Sequence, residues 1–208
     1  MNNVSLIGRT AIVSEIAPLA ADANTDSEDL RQLIAFVGYR PNALFTMAKR
    51  PGLLDAVLGL VRVTVRGDGQ LSEGLRFLIA AETSRAAGCR YSAAHAAHAA
   101  AHAGEPEDKI AALPAYQSSA LYDAAERAAL AFASVGGELP MRPAAAAFAA
   151  ARIHFPEPAL IEILGVISAF GWFNRWNSLN NSDLEAEPAA FAQRIGWLQP
   201  EQFMRRKA

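Results

Sequence analysis

Cys89, Ser92 and His95 follow one another at steps of three through an alanine-rich stretch, so a helix would set a thiol, a hydroxyl and an imidazole on one stripe. Gly88 lets the chain turn sharply before them and puts Cys89 in the first turn of the next helix. Unpaired backbone N–H groups and the positive end of the helix dipole favour a thiolate there. Ser92 can donate to that sulfur, and His95 can exchange protons with either group. Each residue type also has an ordinary fate. A lone cysteine packs as a small hydrophobe, a helical serine bonds back to a carbonyl, and a histidine sits satisfied in a core or interface. Glu82 lies one face-repeat upstream as a further candidate for proton transfer, with an exposed carboxylate as its alternative.

His95, His98 and His102 form H-x2-H-x3-H, in which His98 and His102 could share a metal. The Glu of H-E-x-x-H is absent and no acidic cluster lies nearby, so an exposed or subunit-facing histidine stripe is preferred; neither metal nor cofactor is expected. Tyr91, Trp172, Asn174, Arg175 and Asn177 are the candidate substrate-binding residues. The last three are polar residues at the end of an apolar segment, where such residues either line a pocket or satisfy a buried network. Trp172 and Trp176, four apart, have a place in the core as their alternative.

These residues need helices to position them, and the periodicity supplies helices throughout. Asp26 or Ser27 caps a helix carrying Leu30, Leu33, Ile34 and Val37, ended by Gly38. A short helix runs from Pro41 to Met47. Pro51 opens the stripe Leu53, Leu54, Val57, Leu58 and Val61, which continues to Val65 before Gly67-Asp68-Gly69. Helices follow over 74–86, 89–103, 124–134 (capped by Asp123 and stopped by Gly136-Gly137), 144–153, 159–179 and 189–198. No stretch alternates long enough for a sheet, and no linker divides the chain: the expectation is one all-α domain at 38–190, preceded by an extension and first helix at 1–37 and followed by a tail at 191–208.

Composition limits the function. With 52% hydrophobic residues, 208 residues suffice for a sizeable core. A net charge of −2 argues against nucleic acid. One cysteine excludes an internal disulfide and suits a reducing, cytoplasmic compartment. Met1 to Ser14 lacks the pattern of a secretory leader, and the apolar stretch from Ile163 to Phe173 is too short for a membrane helix. The abundant alanine suggests closely packed helices and surface buried between subunits.

Gly88-Cys89-Arg90-Tyr91-Ser92-Ala93-Ala94-His95 resembles the G-C-x-Y-C-x-x-H segment of the alkylhydroperoxidase D and carboxymuconolactone decarboxylase superfamily. The resemblance extends in order through Arg40-Pro41-Asn42-Ala43-Leu44, Met47-Ala48-Lys49-Arg50-Pro51-Gly52-Leu53-Leu54, Leu71-Ser72-Glu73-Gly74-Leu75-Arg76 and Ala125-Glu126-Arg127-Ala128-Ala129-Leu130-Ala131-Phe132-Ala133. It closes on Ala169-Phe170-Gly171-Trp172-Phe173-Asn174-Arg175-Trp176-Asn177, similar to the last helix of the peroxidase-related branch. The resemblance implies an oligomeric helical bundle and, in the family's peroxidases, a C-x-x-C dithiol served by a glutamate and a histidine relay. Here Ser92 replaces the second cysteine, Phe77 the relay glutamate and Ala96 the relay histidine, with His95 beside it. Serine forms no disulfide and phenylalanine carries no proton, so the dithiol cycle is closed to a single chain. Three functions fit: acid/base chemistry on a small organic substrate by His95 with Cys89 and Ser92, as in the lyase branch; a one-cysteine peroxide reductase rescued by an external thiol; or a catalytically silent oligomer that binds a ligand.

Overall fold

The computed structural model describes residues 14–20 and 27–204. Asp26 as a helix cap, the basic tail Arg205-Arg206-Lys207 and all of the Met1 to Ser14 segment except Ser14 lie outside the described residues. Among the described residues there are eleven α-helices and no strand. No helix among them is long and apolar enough to cross a membrane.

Helix α1 (Glu28–Val37) starts at Ser27, whose hydroxyl oxygen accepts the Leu30 N–H, and stops at Gly38 in the left-handed conformation. Two short helices follow, α2 (Asn42–Met47) and α3 (Leu53–Val61). The stripe past Val61 stays helical in a wider turn, Arg62–Arg66. Helix α3 begins after Gly52, so Pro51 stands outside the first turn rather than in it. The centre is the pair α4 (Glu73–Ala87), capped by Ser72, and α5 (Arg90–His102), which meet along an extensive contact. After the short α6 (Glu107–Ala111) come α7 (Ala124–Gly137), α8 (Ala145–His154) and the long α9 (Glu157–Asn180); α4 packs against both α7 and α9. Helices α10 (Ala186–Arg194) and α11 (Pro200–Met204), separated by a tight turn at Gly196–Leu198, complete the chain.

The alanines are used inside the chain. Ala80 and Ala81 of α4 and Ala93, Ala94, Ala96, Ala97, Ala99 and Ala100 of α5 are all buried, and their small side chains let the two backbones approach. Helix α7 ends where the sequence suggests, with Gly136 and Gly137 as its last two residues, but these glycines also serve packing. A Cβ on Gly137 would lie 2.2 Å from the Thr83 carbonyl oxygen, so glycine is what allows α7 to sit against α4. Large side chains such as Leu78, Ile79 and Ile163 fill the remaining space, each contributing about 1.5–3 kcal/mol through burial. Beside this main core, α1, α2 and α3 build a second cluster that includes Cys89, Tyr91 and, from α9, Ala169 and Phe173. Cys89 therefore lies between two packed regions.

Candidate active site

Gly88 and Cys89 are the two residues between α4 and α5. Gly88 takes the left-handed conformation (φ 73°) and ends α4; Cys89 is then the N-cap of α5, one step before the first-turn position expected. Its backbone is pinned on both sides, its N–H donating to the Ser84 carbonyl and its carbonyl accepting from the Ala93 N–H, each at 3.0 Å. The thiol, 3% exposed, stands 3.3 Å from the Ser92 hydroxyl oxygen and donates to it. From the opposite direction the Asn177 Nδ2 of α9 donates to the same oxygen at 3.1 Å.

His95 is engaged at both nitrogens. Nε2 lies 2.6 Å from Glu185 Oε2, and Nδ1 lies 2.8 Å from the Tyr39 hydroxyl. Glu185, the N-cap residue of α10, gathers donors: its Oε1 accepts from the Tyr91 hydroxyl at 2.8 Å and from the Asn42 backbone N–H. The Tyr91 oxygen accepts in turn from the Ala43 N–H at 3.2 Å, and its ring stacks on His95 with centroids 4.2 Å apart.

The electrostatics fix the resting protons. Burial would raise the Glu185 carboxyl, but the charge and hydrogen bond of His95, with donation from Asn42 and Tyr91, outweigh it and hold the group below the usual carboxylate range. Burial, and then the negative charges of Glu185 and Glu187, push Tyr39 far above the ordinary phenol value; burial does the same to Tyr91 with Glu185 as second cause. Tyr39 therefore keeps its proton. With neutral imidazole it donates to Nδ1 while Nε2–H faces the carboxylate. With imidazolium, Nδ1–H donates to the Tyr39 oxygen and frees the phenolic proton to point elsewhere.

Ser92, His95, Tyr39, Tyr91, Asn177 and Arg66 line one cavity of about 110 Å³, closed otherwise by apolar side chains, among them Leu33, Leu44, Val65 and Phe173. Phe77 and Ala96, at the two relay positions of the resemblance, are part of the same wall, so the lost relay is replaced by hydrocarbon. The expected shared hollow holds for Ser92 and His95. Cys89 lies just behind, reaching the wall through Ser92. Glu82 has neither an exposed nor a cavity position: it is 0% exposed and forks onto Arg85 at 2.6 and 2.7 Å. Burial of a carboxylate demands such a partner, and the adjacent helical turn supplies it.

The remaining candidates separate. Trp172, Asn174 and Arg175 line a different, wider groove of about 1000 Å³ between α8 and α9, together with Leu139, Met141 and Leu179. Trp172 stacks on Trp176 there with centroids 5.5 Å apart. His98 is buried, and burial first, then His102, His95 and Arg194, pushes its pKa down to about 4. His102 spends its Nδ1–H on the His98 carbonyl at 3.0 Å, and among the described residues no group of three or more His, Cys, Asp or Glu gathers as metal ligands.

Sequence reasoning missed Glu185 and Tyr39. The Asp183-Leu184-Glu185-Ala186-Glu187-Pro188 run, acidic residues entering a helix start, was the available signal for the first. Nothing in spacing ties Glu185 to a histidine 90 positions away.

The family profile of the carboxymuconolactone decarboxylase family matches residues 51–134, the segment that contains Cys89, Ser92 and His95. The solved structure of the debrominase Bmp8 is 34% identical, covers 86% of this chain and 97% of its own, and superposes with a TM-score of 0.80. The chain belongs to the carboxymuconolactone decarboxylase family. A cysteine-to-alanine form of Bmp8 in complex with 2,3,4-tribromopyrrole is similar to the same degree, at 33% identity, 86% and 96% coverage and a TM-score of 0.80. An uncharacterised peroxidase-related protein from Ralstonia eutropha JMP134, with an alkylhydroperoxidase AhpD core, shares the fold at 22% identity, 83% and 94% coverage and a TM-score of 0.71. No functionally curated protein matches the chain.

Proposed function

We propose that this family member is a single-thiol enzyme that reductively removes halogen from a small, planar heteroaromatic ring. The observation that carries the reading is the junction of the chain's one thiol, through Ser92, with a small, mostly apolar cavity whose wall includes His95, the partner of Glu185. Debromination by a family relative 34% identical over nearly its whole length supports the choice of reaction.

The chemistry follows from the groups present. Imidazolium at His95, with ionised Glu185 as counter-ion, transfers its proton through the Tyr39 hydroxyl to the ring carbon bearing the halogen. The Cys89 thiolate then attacks the halogen. The carbon–halogen electron pair stays with the ring and restores its aromaticity, while a sulfur–halogen bond forms. Ser92 cannot resolve that bond, so a low-molecular-weight external thiol attacks the sulfur, expels halide and leaves a mixed disulfide; a second external thiol regenerates Cys89. The sum is aryl halide plus two thiols giving arene, disulfide, halide and a proton. The Cys89 sulfur, bonded to Ser92 behind the cavity wall, reaches the ring in this scheme by turning about Cα–Cβ. The reading retains the proton chemistry expected of His95 and gives the thiol a role. A reducing, cytoplasmic setting supplies the external thiol, and the exposed apolar groove between α8 and α9 supports assembly as a homo-oligomer.

The test is halide release from brominated pyrroles in the presence of a small thiol, by ion chromatography. The wild-type protein is expected to release bromide and Cys89→Ala none. Peroxide consumption with Cys89 forming a trappable sulfenic acid, and no bromide, would instead identify the one-cysteine peroxide reductase. Neither activity would leave the silent ligand-binding oligomer.

A further inference from the structure

Two polar atoms on the wall of the small cavity have no hydrogen-bond partner, Arg66 Nη1 and Asn177 Oδ1. Tyr39 and His95 bond each other, His95 also bonds Glu185, Tyr91 bonds Glu185 and the Ala43 N–H, and Ser92 holds Cys89 and Asn177. The Arg66 guanidinium lies 3.2 Å from the Glu73 carboxylate and 3.6 Å over the Phe36 ring. Asn177, 4% exposed, bonds Ser92 through Nδ2 and leaves Oδ1 buried with no partner.

Proton inventory explains why the oxygen is the end left over. In the reactive form the Cys89 sulfur carries no proton, and the hydroxyl 3.3 Å away is its donor. Once Ser92 has spent its O–H on sulfur, its oxygen can only accept, so it takes the amide NH2 of Asn177. The amide oxygen must then face away from Ser92. It is an acceptor only, and it goes unpaired unless a bound molecule donates to it.

We infer that Asn177 Oδ1 accepts the N–H of a pyrrole-type ring and makes the enzyme selective for heteroaromatics unsubstituted at nitrogen. A ring N–H of this kind is a donor with no lone pair in the ring plane. Asn177 also supports Ser92, so specificity and thiol activation meet in one side chain. The assignment deepens the dehalogenase reading and rests on it for the chemistry, though the binding preference is measurable without turnover.

The test uses non-reactive rings of one shape on the intact protein: 2,5-dimethylpyrrole and 2,5-dimethylthiophene, titrated by calorimetry and by protection of Cys89 from alkylation. The pyrrole is expected to bind about 10- to 100-fold more tightly, the worth of one buried hydrogen bond. Asn177→Leu should bring the ratio close to one, whereas Ser92→Ala should preserve it. Equal affinity in the wild-type protein, no binding of either ring, or a preference that survives Asn177→Leu each overturns the assignment. The wild-type comparison needs no variant to fold. Bromide release alongside equal binding would spare the dehalogenase reading and remove this inference; pyrrole preference without bromide release would do the reverse.

Discussion

The two concave regions on either side of α9 are built on opposite plans. The cavity of about 110 Å³ facing Phe170, Phe173 and Asn177 has most of its hydrogen bonds complete, with Arg66 Nη1 and Asn177 Oδ1 as the exceptions. The groove of about 1000 Å³ facing Leu164, Trp172, Arg175 and Leu179 is wide and apolar, and Asn174 at its edge has neither amide end paired. Around it Met141 and Leu179 are 81% and 77% exposed. Chemistry needs fixed protons and excluded water, which the first region provides; the second has the character of a surface that awaits cover. Size alone would have chosen the wrong one.

The sharpest way to break this contrast is to remove the proton carrier from one region and the most prominent cation from the other. His95→Asn should lower halide release about 10²- to 10⁴-fold, the range for a lost general acid, whereas Arg175→Ala should leave it unchanged. Steady-state rates at saturating external thiol decide the matter, and a large Arg175 effect would move the chemistry to the groove.

Glu185→Gln removes the charge while keeping the shape. At neutral pH it should cost about 1.5–3 kcal/mol in denaturant unfolding, as expected for hydrogen bonds to a buried charge. Because the folded-state value of Glu185 is depressed, its contribution is full above the ordinary carboxylate range and is lost as pH falls through the lowered value. The wild-type protein should therefore lose stability on acidification through that window more steeply than Glu185→Gln.

His98 gives a separate acid signature. The folded protein keeps it neutral down to about 4, whereas the unfolded chain takes up a proton near 6.5, so stability should fall as pH drops from 6.5 toward 4. Melting temperatures of His98→Phe across that interval should be flatter than those of the wild type. The smallest expected effect on the folded subunit is in the groove. Met141→Glu and Leu179→Glu should change its stability by no more than about 0.5 kcal/mol, yet light scattering should find a smaller assembly. An unchanged molecular mass would remove the groove as a subunit contact.

Much of this was legible in the sequence. Helical periodicity located the helices that carry these residues, and the three-residue spacing of Ser92 and His95 put both on the wall of one cavity, with Cys89 bonded to Ser92 behind it. What failed did so for a physical reason. Glycine reads locally as a helix stop, but that reading does not show that the missing Cβ at Gly137 also serves a contact with Thr83. Glu82 reads as solvent-exposed because nothing local reveals that the neighbouring core closes over it and leaves Arg85 as its partner. Glu185 and Tyr39 reach His95 from distant segments, and only the fold brings them there. Among the closing-helix candidates, a difference of a few positions sent Asn177 to one region and Trp172, Asn174 and Arg175 to the other.

The most direct test of the single-thiol account is peptide-level mass spectrometry of protein quenched during turnover of 2,3,4-tribromopyrrole with limiting small thiol. The account predicts a mixed disulfide between Cys89 and that thiol, appearing with bromide and decaying as more thiol is added. Bromide released while Cys89 stays unmodified at every time point, and released equally by Cys89→Ala, would contradict it.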